Sequence, residues 1–207
     1  MEYLEFLETK KTTVIHAGIK CDVSYPFLYP FQQFCVKKAL EKGRFALFED
    51  CGLGKTRQQL VWANEVVKHT NKSVLILAPL AVVNQTINEA NAIGIKCTDY
   101  DDYSNVGIYI SNYEQLCNID TSLFVGVVLD ESSILKNFEG ATRNELIDVF
   151  ASTQYKLCCS ATPSPNDPME LGNHSEFLNY MSRVEMLAMY FIHDSSCTSK
   201  WRLKGHC

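Results

Sequence analysis

Apolar and polar residues alternate along the chain in two different rhythms. Short apolar runs predict buried strands, whereas segments in which apolar residues recur every three or four positions predict helices. The predicted strands are residues 44–49, 73–78, 107–111, 125–130 and 155–160. The predicted helices are residues 31–42, 55–69, 80–89 and 139–150. Strands that alternate with helices in this way indicate an α/β fold, in which a mostly parallel central sheet is flanked by helices.

The pattern changes after Pro163-Ser164-Pro165. Helical periodicity continues at residues 168–181 and again at 184–192, with no further strand-like run. Residues 195–207 are polar and have no core pattern, so they are interpreted as the start of a continuation.

Composition excludes several classes of protein. With 46% hydrophobic and 21% charged residues, the chain is not a disordered tail. The net charge of −5 argues against nucleic-acid binding by the whole surface, although a local groove remains compatible with it. Residues 1–5 are acidic where a secretory leader is basic, and no apolar run reaches the ~18 residues of a membrane span. Nine cysteines without a C-x-x-C pair predict free thiols in a reducing compartment.

A candidate phosphate loop, Gly52-Leu53-Gly54-Lys55-Thr56, lies between the first strand and the helix that follows it. Its glycines let backbone N–H groups approach a polyphosphate, and the helix N-terminus adds positive potential. Lys55 would reach the β/γ oxygens and the Thr56 hydroxyl would bind Mg²⁺. Arg57, the next residue, is a further candidate for cofactor binding. Glu49 stands where the usual pattern has its first glycine.

Two adjacent carboxylates, Asp130 and Glu131, end the apolar run Val127-Val128-Leu129. At a phosphate site the first carboxylate can hold the Mg²⁺ ion and the second can activate the attacking water. Carboxylates after a strand are also common as helix caps, so this prediction depends on the phosphate loop upstream.

Two segments resemble motifs of superfamily-2 helicases. Asp130-Glu131-Ser132-Ser133 is similar to the D-E-x-x box, and Ser160-Ala161-Thr162-Pro163 is similar to the Ser-Ala-Thr motif. The resemblance implies that the hydroxyls of Ser160 and Thr162 contact the box and couple the ATP state to movement. Serine and threonine before proline also fit an ordinary turn. Ser132-Ser133 departs from the more familiar Ala-Asp or Ala-His, so the classical subfamily labels do not apply.

The segment Phe27-Leu28-Tyr29-Pro30-Phe31-Gln32 resembles the glutamine motif of the Swi/Snf-like branch. The resemblance implies that the Gln32 amide reads the adenine edge, since it offers one donor and one acceptor side by side. Phe27 or Tyr29 would stack on the base. Gln33 is a competing candidate, and a helix start with a buried aromatic is the alternative interpretation.

Two further segments match in order. Leu77-Ala78-Pro79-Leu80 resembles motif Ia, and Ile110-Ser111-Asn112-Tyr113-Glu114 resembles motif Ib. In that family these loops contact the nucleic-acid backbone independently of base sequence. The candidate residues are Pro79, Asn84, Gln85, Ser111 and Asn112. Polar residues at strand ends are also commonly just solvated.

The resemblance covers residues 28–178, and its nearest likeness is to compact phage and bacterial proteins of the Swi/Snf-like branch. It implies a three-layer, RecA-like P-loop NTPase. Residues 1–26 would be an N-terminal extension, 27–166 the RecA-like ATP-binding domain, and 167–207 a helical segment that begins a truncated continuation. The second RecA-like domain of such motors lies outside these residues. It supplies arginines worth on the order of 10³–10⁵ in rate, so we expect weak hydrolysis from this chain alone.

The expected function is that of an ATP-dependent helicase or translocase that uses ATP and Mg²⁺, with DNA favoured over RNA as its partner. The expected place is the cytoplasm of a bacterial or phage-infected cell, away from membranes. One alternative is a small P-loop kinase, for which Lys136 and Arg143 are thin evidence of an acceptor site. The other is a non-catalytic nucleotide-binding decoy or interaction module, which the intact phosphate-loop and Asp-Glu residues disfavour.

Overall fold

A computed structural model describes residues 18–136, 140–194 and 201–205. The helices are α1 (Pro30–Lys42), α2 (Lys55–Thr70), α3 (Leu80–Ala92), α4 (Ala141–Val149), α5 (Leu171–Phe177) and α6 (Arg183–Tyr190). The strands are β1 (Arg44–Phe48), β2 (Ser73–Ala78), β3 (Cys97–Asp99), β4 (Ile108–Asn112), β5 (Phe124–Asp130), β6 (Tyr155–Ser160), β7 (Phe191–His193) and β8 (Trp201–Leu203).

The first six strands form one parallel sheet in the order β1-β6-β5-β2-β4-β3. Parallel strands need crossover connections, and the helices of this chain provide most of them. Because all six strands point the same way, their carboxyl ends meet at one edge of the sheet. This arrangement confirms the predicted α/β fold with a mostly parallel sheet.

Each face of the sheet buries its own core. Strand β2 is buried throughout, and its alternate residues belong to different clusters. Val74 and Ile76 pack with residues of α1, α2 and α3 on one face. Leu75 and Leu77 pack with Leu146, Phe150 and Phe177 on the other face. The sheet therefore lies between two helical layers, as the apolar pattern predicts.

The predicted N-terminal extension, residues 1–26, lies partly outside the described residues. Within it, Ile19 and Val23 are buried against the α1–α2 core, and the Ile19 N–H donates to the Leu40 carbonyl at 2.8 Å. The segment from residue 18 thus packs as part of the same body. The division into domains remains a prediction.

The C-terminal part differs from the sequence interpretation. The predicted helix 168–181 is wrong as a single element: a 3₁₀ turn, Pro168–Glu170, precedes α5, and the chain then turns at Asn179, whose φ is 57°. Ser182 is the N-cap of α6 and forms a capping box with Glu185, and this Ser-x-x-Glu spacing was visible in the sequence. The predicted helix 184–192 ends at Tyr190, because residues 191–193 pair with β8 as an antiparallel two-stranded sheet.

Other boundaries also shifted. Residue 139, the predicted start of α4, lies outside the described residues, as do 195–200 and 206–207 of the predicted polar tail. Strand β3 was not predicted, since it is only three residues long. Within the described part of the chain, none of the helices combines the length and the apolar character that a membrane span needs.

Candidate nucleotide-binding site

The loop between β1 and α2 has the backbone that a phosphate site requires. Gly52 and Gly54 have φ values of 83° and 78°, in the left-handed region that favours glycine. Gly54 is the N-cap of α2, so Lys55 is the first helical residue and the N–H groups of the first turn, which have no partner within the helix, point towards the loop. The Lys55 Nζ donates to the carbonyls of Glu49 at 2.7 Å and Asp50 at 3.0 Å, which holds the ammonium group within the loop.

Gln32 is joined directly to this loop. Its side chain is buried, its Nε2 donates to the Leu53 carbonyl at 2.8 Å, and its Oε1 accepts from the Tyr29 N–H at 2.9 Å. A Cβ atom placed on Gly54 would lie 2.4 Å from Gln32 Nε2, so this close approach needs glycine at position 54. Gln32, the residue that the resemblance singles out, therefore lies against the phosphate loop.

The competing candidate Gln33 faces the other way. Its Nε2 donates to the carbonyls of Leu28 at 3.0 Å and Tyr25 at 3.4 Å, which holds the segment that leads into α1. The half-buried Phe27 packs against the core, with its ring 5.3 Å from that of Tyr25. The exposed Tyr29 ring lies parallel to Phe31 at 6.4 Å, so it is the more accessible aromatic surface for a base.

Asp130 and Glu131 lie where β5 ends. Burial raises the pKa of the Asp130 carboxyl, the adjacent Gln59 amide favours its charged form, and the negative charge of Glu131 raises the pKa further. Two adjacent carboxylates of this kind suit a divalent cation with oxygen ligands. Glu131 has a φ of 55°, a costly conformation for a residue with a side chain and one that clusters at functional sites.

The Ser-Ala-Thr segment contacts the carboxylate pair. Ser160 Oγ donates to Glu131 Oε1 at 2.9 Å, and Ser133 Oγ donates to the same oxygen at 2.7 Å. The Thr162 N–H donates to Ser160 Oγ at 3.0 Å, so the loop after β6 is tied to the same hydroxyl. The Thr162 side chain is exposed and its backbone makes this contact, whereas the sequence interpretation assigned the role to its hydroxyl.

A second connection runs from α5 to the turn that follows Glu131. Asn173 Nδ2 donates to the carbonyls of Leu135 at 2.8 Å and Lys136 at 3.1 Å. His174 Nε2 lies 3.1 Å from Ser132 Oγ, and burial lowers the pKa of its imidazole. The segment after the Ser-Ala-Thr motif thus holds the segment after the Asp-Glu box.

The candidate nucleic-acid residues lie at the same edge of the sheet. Pro79 and Asn112 line a cleft of about 600 Å³ that extends to Glu131, and we refer to it as the Glu131 cleft. Asn112 Oδ1 accepts from the N–H groups of Glu114 and Gln115, so it caps the turn after β4. Asn84 and Gln85 are exposed on α3, whereas Ser111 is buried.

Two predicted cofactor residues have different surroundings. Thr56 is half-buried in the first turn of α2, next to Lys55. Arg57 pairs with Glu89 of α3, with Nε 2.6 Å from Oε1, so its guanidinium bridges two helices. Arg143, one of two residues that could have belonged to the acceptor site of a kinase, is buried and forms an ion pair with Glu176.

Sequence reasoning missed several polar residues beside the site. Gln58 Nε2 donates to Glu49 Oε2 at 2.7 Å, and Gln59 is fully buried beside Asp130. The Tyr113 hydroxyl donates to the Asp130 carbonyl at 2.7 Å. Gln58 and Gln59 lie three and four residues after Lys55, which places them on the inner face of α2; that spacing was the available signal.

The chain is similar to known proteins in both sequence and structure. No family model matches the chain. The chain is 30% identical over 182 residues to the SWI/SNF-related matrix-associated actin-dependent regulator of chromatin subfamily A-like protein 1 of Xenopus tropicalis, covering 78% of this chain and 19% of that protein. The protein of the same name from Xenopus laevis is 29% identical over 157 residues, covering 70% and 16%. The chain therefore spans less than a fifth of the length of these curated relatives.

Solved structures resemble the fold. The Sulfolobus solfataricus SWI2/SNF2 ATPase core in complex with dsDNA has a TM-score of 0.65 and 21% identity, covering 84% of this chain and 40% of that chain. The UvsW helicase from bacteriophage T4 has a TM-score of 0.59 and 13% identity, covering 88% and 66%. The chain thus has the RecA-like fold of SWI2/SNF2 ATPase cores and helicases.

Proposed function

We propose that the chain is the ATP-binding domain of a Swi/Snf-like superfamily-2 ATPase, which couples ATP hydrolysis to movement on DNA together with a second RecA-like domain. The observation that carries this proposal is the hydrogen bond from Ser160 to Glu131. It joins the Ser-Ala-Thr segment to the catalytic carboxylate at the strand ends beside the Lys55 loop. A phosphate loop alone is common to many enzymes, whereas this pairing is what a motor needs in order to transmit the nucleotide state.

Each residue of the site has a role in this proposal. The backbone N–H groups of the loop and the Lys55 ammonium bind the phosphates, which requires Lys55 to leave the carbonyls of Glu49 and Asp50. Thr56 and Asp130 supply the oxygen ligands for Mg²⁺, which neutralises phosphate charge when bound. Glu131, held by Ser160 and Ser133, orients the attacking water and accepts its proton.

Gln32 would select the base. Each end of its amide makes one hydrogen bond, to the Leu53 carbonyl and from the Tyr29 N–H, and each keeps a second N–H or lone pair that adenine could use. Gln32 would then contact the base and the phosphate loop together. The exposed Tyr29 ring, or Phe27 after a side-chain movement, would then stack on the base.

Nucleic acid would bind along the Glu131 cleft. Its described lining is mostly neutral, with Pro79 at the end of β2 shaping the wall and with side-chain amide and hydroxyl donors at Asn112 and Ser133. Such groups contact phosphates without reading sequence. DNA is favoured over RNA because the S. solfataricus core of similar fold was solved in complex with dsDNA.

The test is Mg²⁺·ATP binding and hydrolysis by the purified chain, with and without single- and double-stranded DNA. Lys55→Ala is the variant, and Lys72→Ala, an exposed lysine at the opposite edge of the sheet, is its matched control. We expect binding that depends on Lys55 but not on Lys72, with slow turnover because the arginines of the second domain are required for full rate. Fast turnover that ignores DNA would favour a small P-loop enzyme, and no ATP binding would leave only an interaction module.

A further inference from the structure

A cluster of metal-ligating side chains lies on the far half of α2, away from the phosphate loop. Glu65 and His69 are one helical turn apart, and Cys21 reaches them from the segment that precedes α1. Glu65 follows Lys55 by ten residues, a distance of about 15 Å along the helix axis. The cluster is therefore separate from the nucleotide site.

The three side chains present one ligand atom each to a common point. The Cys21 sulfur, a carboxylate oxygen of Glu65 and a ring nitrogen of His69 all lie within 4.8 Å of one another. Among the described residues, this is the one group of three or more such side chains that comes so close. Thiolate, imidazole and carboxylate are the ligands that Zn²⁺ takes in tetrahedral sites, and three protein ligands leave one position for water.

The Glu65 carboxylate is already oriented as a metal ligand should be. Its Oε1 accepts from the Tyr25 hydroxyl and from Lys68 Nζ, the latter at 2.9 Å. Its Oε2, 3.7 Å from His69 Nδ1, is the oxygen left for a cation. Nδ1 itself donates to the Glu65 backbone carbonyl at 2.8 Å, which leaves Nε2 as the ring nitrogen with a lone pair for a metal. In metal sites the ligating groups are held in the same way by hydrogen bonds from outer residues.

Charge at the cluster also suits a divalent cation. A bound Zn²⁺ favours the thiolate form of Cys21, so Cys21 and Glu65 together carry two negative charges in the site. The Lys68 ammonium is bonded to the far oxygen of the same carboxylate, and Asp22 lies next to Cys21 in sequence with Lys37 bonded to it. Lys68 therefore offsets part of the Glu65 charge, whereas Lys37 is matched by Asp22, so the cluster with a Cys21 thiolate stays net negative.

We propose that Cys21, Glu65 and His69 form a site for Zn²⁺ that fastens the segment before α1 to the second half of α2. That segment continues through Tyr25 and Leu28, whose carbonyls accept from Gln33, into the turn that positions Gln32. A cation bound here would stabilise the segment that holds Gln32, the residue proposed to bind the base.

The test uses Co²⁺ as a spectroscopic probe for Zn²⁺, on the chelator-treated 207-residue chain without nucleotide. We expect a near-ultraviolet thiolate-to-cobalt absorption that saturates with one equivalent and disappears when Zn²⁺ is added. Cys21→Ser should abolish this equivalent, and Cys117→Ser, an exposed cysteine on the turn after β4, should leave it intact. An unchanged absorption in Cys21→Ser, or an equal loss in Cys117→Ser, would overturn the proposal.

A second measurement guards against variants that fail to fold. His69 is 40% exposed, so His69→Gln should fold, yet it should weaken Zn²⁺ binding by more than roughly 100-fold because it removes a direct ligand. Tyr25→Phe removes an outer hydrogen bond and should weaken it by about 10–100-fold. Zn²⁺ should raise the melting temperature of the wild type and of Lys55→Ala, but not of His69→Gln. An equal rise in all three would refute the site, whatever the outcome of the ATP experiments.

Discussion

Two serine hydroxyls and a left-handed backbone fix the Glu131 carboxylate beside the phosphate loop. The Ser160 and Ser133 hydroxyls donate to the same oxygen, Oε1, so the second oxygen is the one left to accept a proton from water. The backbone φ of 55° at Glu131 is a costly left-handed conformation, which a residue with a side chain keeps only where its surroundings hold it. The orientation of one carboxylate therefore depends on two separate segments, the turn after β5 and the end of β6.

Glu131→Gln should separate ATP binding from hydrolysis, because the amide keeps the size of the side chain but is not a base. We expect hydrolysis to fall by at least about 100-fold, the usual worth of a positioned general base, while the Kd for ATP changes by less than about threefold. Release of labelled phosphate in single-turnover conditions measures the first quantity and equilibrium binding the second. Glu114→Gln, an exposed carboxylate in the same cleft, is the control and should change neither.

Lys156 is a buried lysine in the sheet, and the free energy needed to keep its amine charged there makes the stability of the fold depend on pH. Burial lowers the pKa of its ammonium from 10.5 to about 7, and its Nζ donates to the Phe177 carbonyl at 2.8 Å and Asn179 Oδ1 at 2.6 Å. Between pH 7 and 10.5 the unfolded chain holds a proton that the folded chain has lost. The free energy of unfolding should therefore rise with pH across this window.

Lys156→Met should remove that rise. The wild-type free energy of unfolding should increase by at most about 1.4 kcal/mol per pH unit above neutrality through this one group, whereas the Met variant should lack this contribution. Urea unfolding at several pH values from 7 to 9.5 measures both slopes. The exposed Lys72→Met is the comparison, and a slope in Lys156→Met equal to that of the wild type would show that Lys156 stays charged.

Some residues could be predicted from sequence and others could not, for a physical reason. Lys55, Asp130 and Ser160 could be proposed from the sequence because the chemistry of phosphate and Mg²⁺ requires their residue types at fixed places after a strand. Gln59 and His174 were missed because their role exists only where two distant segments meet. A buried amide or imidazole carries no local pattern that marks it.

The short helix α5 connects the segment after β6 to the turn after β5. It is seven residues long, yet Asn173 holds two carbonyls of the turn after Glu131 and His174 contacts Ser132 of the Asp-Glu box. Phe177 packs in the core below them. Movement of the loop after β6 would therefore be transmitted through α5 as well as through Ser160.

Asn173→Ala should weaken this connection. The buried carbonyl of Leu135 and the part-buried carbonyl of Lys136 would lose their donor, and we expect the free energy of unfolding to fall by about 1–3 kcal/mol. Asn88→Ala on the exposed face of α3 is the control and should cost less than about 0.5 kcal/mol. Urea unfolding measures the free energy of unfolding of both variants. Equal losses in the two would mean that the Asn173 hydrogen bonds do not stabilise the fold.

Elements were predicted best where they are long and periodic. The five predicted strands and the helices α1 to α3 lie within a few residues of their predicted places, since each has a continuous buried face. The prediction for the region after Pro168 was wrong because the elements there are short and form only where they contact other segments. β7 exists only through its pairing with β8, and α5 ends where Asn179 adopts a left-handed conformation.

For the molecule as a whole, charge limits how nucleic acid can bind. The net charge is −5, and among the described residues that line the Glu131 cleft Lys136 is the single cation beside Glu114 and Glu131. Binding in the Glu131 cleft is therefore not expected to use many lysine–phosphate contacts. Contacts from backbone and amide groups remain, and these release few counterions.

The salt dependence of DNA binding should reflect that limit. With one or two phosphate contacts from cations, log K should fall with log salt at a slope no steeper than about −2, since each contact contributes about −0.9. Lys136→Ala should reduce the magnitude of the slope by roughly one unit, whereas Lys72→Ala at the opposite edge should leave it unchanged. Fluorescence anisotropy with a short labelled duplex across a salt series measures all three. A steep slope that Lys136→Ala does not alter would place the DNA on a different surface from the Glu131 cleft, because no other cation in the described lining could account for it.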